Sequence, residues 1–355
     1  MYGRYAGRKD GHRRQAGRRR TGRWAHTYAA LDLGTNNCRL LVAKPTRDGF
    51  RVVDAFSRVV RLGEGVRASG RLSQTAMRRT IAGLRICAAK MRRRGVTRAR
   101  CVATEACRRA DNCDEFLDLV RAETGLSLDI ISTAEEARLA VNGCRPLLDH
   151  GHSHALVFDI GGGSTELMWL ALDADGGGDL LGWTSLPCGV VTLAENYGGG
   201  EVGPALYERM VEDVCAMLAP FDAAHGLGRA VAAGGVQMLG TSGTVTTLAG
   251  VHLGLAAYDR ARVDGAWLDF DEVTRISRRL AAMPLAERAE VGCVGPDRAD
   301  LLVAGCAVVE AIGRCWPVAR LRVADRGLRE GLLLALMREA DAEGRGRDRP
   351  ALSRS

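Results

Sequence analysis

Three short loops in this 355-residue chain combine glycines with small hydroxyl or amide residues, two of them behind an aspartate, in the order that phosphate chemistry uses. The first follows the apolar run from Tyr28 and reads Asp32-Leu-Gly34-Thr35-Asn36-Asn37. The second, 127 positions later, reads Asp159-Ile-Gly161-Gly162-Gly163-Ser164-Thr165-Glu166. A carboxylate at the end of a strand can hold a hydrated Mg2+ or its waters. Glycines let backbone N–H groups come close to phosphate oxygens, and Thr35, Asn36, Asn37, Ser164 and Thr165 add short donors. One such turn alone reads sooner as a hairpin with a glycine bulge. Two matching copies, with three successive glycines in the second, shift the reading to phosphate binding. Neither carries the lysine of a Walker A loop, so this is no P-loop. A third glycine-rich turn, Gly240-Thr-Ser-Gly243-Thr244, joins a strand to a helix. Helix N-termini attract anions, which puts Gly243 and Thr244 among the phosphate candidates; an ordinary connection fits the same residues.

The segment Ser132-Thr-Ala-Glu135-Glu136 opens a helix. Ser132 with Glu135 forms a capping box and leaves Glu136 over for chemistry; a cap at Thr133 would use Glu136 instead, and spacing leaves both open. Arginines crowd residues 78–109 and mostly form a solvated helix face. Arg108 and Arg109 differ, because they follow a buried strand at its C-terminal end, where open α/β sheets bind ligands and where arginine can grip phosphate bidentately. The cluster His150-Gly-His152-Ser-His154 reads as a polar loop before a strand, since no cysteines stand at metal-ligand spacing. The eleven cysteines are odd in number and contain no C-x-x-C pair, which implies reduced, cytosolic thiols rather than a disulfide framework.

These loops need elements to hold them. Strands are expected at Tyr28–Leu33, Cys38–Ala43, 51–60, 99–103, 128–131, 155–160, 167–171, 180–186 and 237–239. Helices are expected at 73–94, 115–123, 133–142, 202–219, 244–250, 271–282, 297–315 and 325–337. Alternation of strand and helix means an α/β protein, and the repeated Asp-x-Gly unit means two similar domains facing each other. The net charge of +8 resides in residues 1–26, which hold nine basic side chains and one acid; the remainder balances to zero. Pervasive basicity is thus no argument for nucleic-acid binding. Residues 1–26 and 343–355 lack the aliphatic content to order themselves and read as disordered tails. No apolar run is long enough for a transmembrane helix, and no cleavage site follows the arginines, so a signal peptide is not expected.

The segments ALDLGTNNCRLLV, RLGEGV, VATEACRRADN, ISTAEEARLAVNG, LVFDIGGGSTELM, SLPCGVVTLAE, LGTSGTVTTLAG, GPDRADLLVAG and VADRGLREGLL, in this order over residues 28–337, resemble the exopolyphosphatase / guanosine pentaphosphate phosphohydrolase (Ppx/GppA) family. The resemblance implies two ribonuclease-H-like domains of the actin, sugar kinase and heat-shock chaperone superfamily, with a cleft between them. It implies that Glu136 is the general base on the attacking water, and that Asp159 and Glu166 hold or orient Mg2+. It implies that Gly161 to Thr165 cradle phosphates, with Asp32, Gly34, Thr35, Asn36 and Asn37 on the opposite wall, Asp32 also counted among the metal-side acids. Arg108 matches a polyphosphate-gripping arginine. The first loop departs from the Gly-Ser-Asn-Ser of many relatives, and Asp264 stands where a histidine is frequent, which puts a ligand contact there in doubt. The chain has no room for the further helical domains of longer relatives.

The expectation is therefore a cytoplasmic, Mg2+-dependent hydrolase. It releases orthophosphate from polyphosphate, from pppGpp, or from both, without membrane association and as a homodimer. The domains are expected at 27–145 and 146–342, with the last helix free to pack back on the first domain. A phosphotransferase of the same superfamily, or a non-catalytic alarmone- or RNA-binding protein using the arginine-rich tail for polyanions, is the alternative.

Overall fold

The computed structural model describes residues 22–149, 151–173, 178–198 and 201–347. The first lobe comprises β1 (Tyr28–Leu33), β2 (Asn37–Thr46), β3 (Gly49–Val59), α1 (Val66–Ser69), α2 (Gln74–Arg93), β4 (Arg98–Ala103), α3 (Glu105–Arg109), α4 (Cys113–Thr124), β5 (Asp129–Ile130) and α5 (Thr133–Cys144). Its sheet runs β3-β2-β1-β4-β5. The first three strands are antiparallel and the last two parallel to β1. Alternating side chains bury both faces: Leu31, Leu33, Leu40 and Val42 pack under α2 and α4, while Tyr28, Ala30 and Leu41 face the other way.

The second lobe comprises β6 (His154–Ile160), β7 (Thr165–Leu172), β8 (Gly178–Leu186), α6 (Val190–Asn196), α7 (Pro204–His225), α8 (Leu227–Ala232), β9 (Val236–Thr241), α9 (Gly243–His252), α10 (Arg260–Val263), β10 (Trp267–Asp269), α11 (Phe270–Ala282), α12 (Leu285–Glu290), α13 (Ala299–Cys315), β11 (Arg320–Ala324) and α14 (Leu328–Arg347). Its sheet runs β10-β11-β9-β6-β7-β8. Apart from the short β10, this is the first lobe's order over again, with β6, β7, β8, β9 and β11 in the places of β1 to β5. The architecture is that of two ribonuclease-H-like domains. Its largest core lies between this sheet and α7, α11 and α13, around Phe158, Val214, Val308 and Trp316.

α14 leaves the second lobe and packs on α5 and β1, where Leu332, Leu333 and Met337 meet Tyr28, Leu41 and Leu139. The crossing is close because two glycines permit it. A Cβ on Gly143 would stand 2.0 Å from the Gly327 carbonyl oxygen, and one on Gly331 2.0 Å from that of Leu139.

Several element expectations need correction. α7 runs through Pro220 to His225, since one lost N–H does not outweigh the packing of Leu218 and Phe221. α14 continues to Arg347, with Arg98 donating to Glu343, so residues 343–347 are helix rather than tail. Residues 22–25 form a 3-10 turn held by Arg23 on Asp341 at 2.7 Å and by the Tyr28 hydroxyl on the Arg23 carbonyl, so the order begins before residue 26. The tail expectation for residues 1–21 and 348–355, and His150, lie outside the described residues. Among the described residues no helix is long and apolar enough to cross a membrane, and every described cysteine is free.

Candidate active site

Each lobe's first hairpin turns at the same point. Gly34 N–H donates to the Asn37 carbonyl, and Gly161 N–H to that of Ser164, both at 2.9 Å. In both, the aspartate stands two residues before the turn, on the innermost strand. The two turns meet in the middle of the molecule and line one cavity of about 970 Å3. Its walls include Asp32, Gly34, Thr35, Asn36 and Asn37 from the first hairpin, and Asp159, Gly161, Gly162, Gly163, Ser164 and Glu166 from the second. Glu136 from α5 and Gly243 and Thr244 from the start of α9 complete it. Of the residues singled out in the sequence, Arg108 and Thr165 are not among this lining.

The glycines of the second hairpin serve a purpose the sequence did not show. None of Gly161, Gly162 and Gly163 has a positive φ. What they provide is room: a Cβ on Gly162 would lie 2.9 Å from Thr35 Cβ, and one on Gly163 2.8 Å from Thr35 Oγ1. The hairpins touch each other there, leaving the cavity on one side of the contact. Gly189 is packed as tightly behind Gly162, where a Cβ on it would stand 2.5 Å from the Gly162 carbonyl, and Val190 and Val191 N–H groups hold the carbonyls of Gly161 and Gly162. The first hairpin is braced by residues 60–63. Val60 and Arg61 N–H groups donate to the Asn36 carbonyl and Gly63 N–H to that of Thr35, while Arg79 from α2 grips the Val60 and Arg61 carbonyls.

The Ser132 hydroxyl caps α5 by accepting from Glu135 N–H at 3.2 Å. The reciprocal half of the expected capping box is not what Glu135 does; its carboxylate pairs with Arg100 at 2.7 Å, because that cation stands beside it on β4. Glu136 is thereby free to face the cavity. Arg108 Nη1 donates to Glu136 Oε2 at 2.8 Å and to the Ile131 carbonyl, and its Nε and Nη2 bind Glu105. Arg108 is thus spent mainly on holding two carboxylates, and it lines the main cavity only through them. Arg109 pairs with Glu105 as well.

The acids crowd each other. Burial first, and then the charge of Glu166, push the Glu136 carboxyl up to about 8 despite Arg108. Burial and Glu136 push Asp159 up to about 7. Burial raises Glu166 to about 7, with Asp159 adding to it, although the Ser164 and Ser185 hydroxyls both donate to Glu166 Oε1 at 2.6 and 2.9 Å. Asp32 is raised by burial and relieved by Arg39. Such a cluster takes up either protons or a cation.

Thr165 is a correction. Its hydroxyl donates to the Cys188 carbonyl and its side chain is wholly buried on β7, because the strand begins there and turns it away from the cavity. Asp264 also stays out of the main cavity, gripping Arg326 and accepting from Asp325 N–H. In the histidine segment, His154 begins β6 and stacks on Trp169 at 5.0 Å and His152 lies 3.7 Å from Asp149, and among the described residues no three His, Cys, Asp or Glu side chains stand together as an ion cage.

Arg39, Arg298, Thr104, Glu105, Ser242 and Thr247 also line the cavity and were missed. Arg39 had a signal, a cation inside the buried run Cys38–Ala43. Arg298 had none beyond its neighbourhood; it is placed by α13, whose Ala299 carbonyl accepts from the fully buried Arg288. Behind Asp32, Asp159 and Arg39 lies a second chamber of about 1380 Å3 reaching Tyr258, Arg329 and the β3 residues Ala55, Phe56 and Ser57.

The model of the Ppx/GppA phosphatase family matches residues 41–340. The chain belongs to that family. It is 30% identical to "Exopolyphosphatase 2" of Mycobacterium tuberculosis H37Rv over 87% of this chain and 98% of the relative. It is 29% identical to the guanosine-5'-triphosphate,3'-diphosphate pyrophosphatase of Aeromonas salmonicida, over 90% of this chain and 62% of that longer protein. Among solved structures, an exopolyphosphatase-like protein superposes with a TM-score of 0.80 at 27% identity, covering 88% of this chain and 98% of the other. The Aquifex aeolicus Ppx/GppA enzyme superposes with 0.71 at 28%, covering 87% and 99%. The family membership accounts for the paired hairpins, the acid-rich cleft and the two-domain repeat together.

Proposed function

We propose that this protein hydrolyses terminal phosphoanhydride bonds of inorganic polyphosphate, of pppGpp, or of both, with a divalent cation, Mg2+, held at the second hairpin. The observation that carries the reading is Glu136, a carboxylate held by Arg108 at the edge of a cavity whose two walls are phosphate-type hairpins. The residues present fit a cation. Asp159 and Glu166 face each other across one strand pair, and the buried Asn36 Oδ1 and Asn37 Oδ1 have no hydrogen-bond partner. The carboxylates do not form a cage of their own, which suits Mg2+, an ion that keeps water and takes substrate oxygens as ligands. When bound, the cation supplies charge neutralisation on the phosphate oxygens.

This chain's residues do the rest. The amides of Gly162 and Gly163, the Ser164 hydroxyl and the Thr35, Asn36 and Asn37 donors hold the terminal phosphate between the hairpins. The N-terminus of α9 at Gly243 and Thr244 adds backbone donors from below. Glu136 takes the proton of the attacking water, and Arg108, with the cation and substrate in place, holds its carboxylate ionised and oriented. A base tuned near neutrality is matched to work at neutral pH. Positioning and fixed electrostatics carry most of the rate.

The test is phosphate release from long-chain polyphosphate and from pppGpp with Mg2+, side by side, for the parent protein and Glu136→Gln. Loss of at least ~10²-fold in kcat is expected, the lower range for a removed general base. Unchanged turnover in the variant overturns the assignment.

A further inference from the structure

The formal neutrality of residues 27–355 hides a division. Residues 27–145 hold 22 basic and 13 acidic side chains, whereas residues 146–342 hold 15 basic and 26 acidic. The excess of the first lobe is concentrated on its outer face. α2 carries six basic residues and no acid. Arg78, Arg85 and Arg92 are exposed and seven residues apart, with exposed Ala82 and Ala89 between them, so they form one stripe with a step of about 10 Å. Beside it, the edge strand β3 exposes Arg51 and Arg58, and Lys44 joins them from β2. At the far end these meet α2 in a shallow pocket lined by Lys44, Arg51, Arg93 and Arg94.

Acids neutralise part of this face. Asp54 holds Lys90, Arg93 and Arg94, and Glu123 pairs with Arg85. Among the described residues Lys44, Arg51, Arg58 and Arg92 have no carboxylate within salt-bridge distance; Arg58 instead lies over the Phe56 ring at 5.4 Å. The cleft reaches the edge strand of this face. The chamber behind the catalytic acids ends on β3 at Ala55, Phe56 and Ser57, and Arg58, next along the strand, lies against Gly83 of α2 on the other side of that edge. Only a polymer can reach from the acids, across the edge of β3, to Arg92, along a helix about 30 Å long.

We propose that this outer face of the first lobe is a docking track for the distal part of a long inorganic polyphosphate chain whose end lies in the cleft. The proposal rests on the polyphosphate reading of the cleft and deepens it, making chain length a determinant of affinity. Arginine and lysine on such a track bind phosphates by releasing condensed counterions, with no need for base contacts. The face lacks what single-stranded nucleic acid requires, a succession of open aromatic platforms. Phe56 is covered by Arg58, and one exposed ring, Trp24, stands beyond Lys44 at the far end.

The experiment uses the full chain with Lys44→Glu, Arg51→Glu, Arg58→Glu and Arg92→Glu combined. In the Glu136→Gln background, binding of labelled long-chain polyphosphate is measured against salt. In the active protein, long-chain polyphosphate and tripolyphosphate are compared as substrates. The expected result is at least a tenfold loss of long-chain affinity at 0.1 M salt, with a shallower log–log salt slope. A matching rise in KM for the long chain is expected, with kcat/KM on tripolyphosphate within twofold of the parent and the Tm unchanged. A combined Lys variant at the three arginines restores the affinity, and Arg51→Gln with Arg92→Gln replaces the charge reversal if that lowers the Tm. Unchanged long-chain affinity and KM overturn the proposal, as does an equal loss on tripolyphosphate, or a loss confined to single-stranded RNA. The binding arm needs no turnover. A parent protein that hydrolyses neither substrate therefore defeats the reading of the cleft, while the effect of the four substitutions on binding still decides the track.

Discussion

In the first hairpin the residue paired across the strands with Asp32 is Arg39; in the second, the residue paired with Asp159 is Glu166. The backbone is the same, the turn hydrogen bond is the same length, and the register is the same. One position of opposite charge divides the labour. The first hairpin sets a carboxylate against a guanidinium and so is self-neutralised, and Arg39 remains available to phosphate. The second sets two carboxylates together and has no cation of its own. Burial raises both, with the charge of Glu136 adding to it at Asp159 and that of Asp159 at Glu166. On the proposed function the second copy is the one that would take the metal, and the first supplies a fixed positive charge. The repeated hairpin gives symmetric loops; a single side chain per copy makes the site polar.

That contrast can be broken most severely at the acids. Asp159→Asn or Glu166→Gln should weaken Mg2+ binding about 10- to 100-fold, the range for disturbed metal sites, with activity falling in step. Asp32→Asn should cost less than tenfold, read from Mg2+ titrations of phosphate release. Equal losses at Asp32 and Asp159 would mean that the two hairpins share the cation evenly.

A second difference is steric. Gly162→Ala must push into Thr35 and the Asn36 backbone, whereas a Cβ on Gly34 meets only the Asn37 carbonyl at an ordinary 3.6 Å. Overpacking of about 1–3 kcal/mol is expected for Gly162→Ala and less than about 1 kcal/mol for Gly34→Ala. Chemical denaturation of the two variants checks this.

The third is a pH effect with a definite sign. Between the ordinary carboxylate range and about 8, the metal-free native state holds protons on Glu136, Asp159 and Glu166 that the unfolded chain has released. Its stability is therefore greatest at the acid end of this window and is lost as pH rises through it. Mg2+ displaces those protons, so its stabilising effect grows over the same window. Melting curves with chelator and with Mg2+ from pH 5 to 8 should diverge toward high pH. Glu166→Gln should flatten the chelator curve, and Asp32→Asn should leave most of the slope.

The smallest effect lies at the rim where the lobes meet. Arg61 pairs with Asp300 at 2.9 Å, and Gly65 N–H donates to Glu195. Both charged partners of the ion pair are partly exposed, so Asp300→Ala should change the Tm little, with less than about 1 kcal/mol lost.

Much of this was legible in the residues. The Asp-x-Gly repeat announced the two domains, and the helix-opening Ser132 with two glutamates narrowed the base to a pair. The structure separates the two, since Ser132 accepts from Glu135 N–H, the Glu135 carboxylate pairs with Arg100 and Glu136 lines the cavity. Thr165 was misjudged because a loop's last hydroxyl and a strand's first look identical in a sequence; only the β6–β7 pairing turns it inward. The order of residues 22–26 and 343–347 escaped for a related reason. Neither segment carries enough apolar surface alone, but Arg23 and Asp341 stabilise each other across 318 positions.

By itself the sequence determined the local events: which strands carry an aspartate next to their end, where the chain must turn, which helix carries Glu136 in its first turn, and that the family chemistry is phosphoanhydride hydrolysis. Those depend on neighbours along the chain, through strand alternation, turn propensity and capping. Only the tertiary structure decided that Arg39 and Glu166 occupy one register position with opposite charge, and that the triple glycine makes room for Thr35. It also decided that a chain of balanced charge presents a basic lobe to an acidic one. Each of those is a distance between residues remote in sequence, fixed by how two copies of one fold are set face to face.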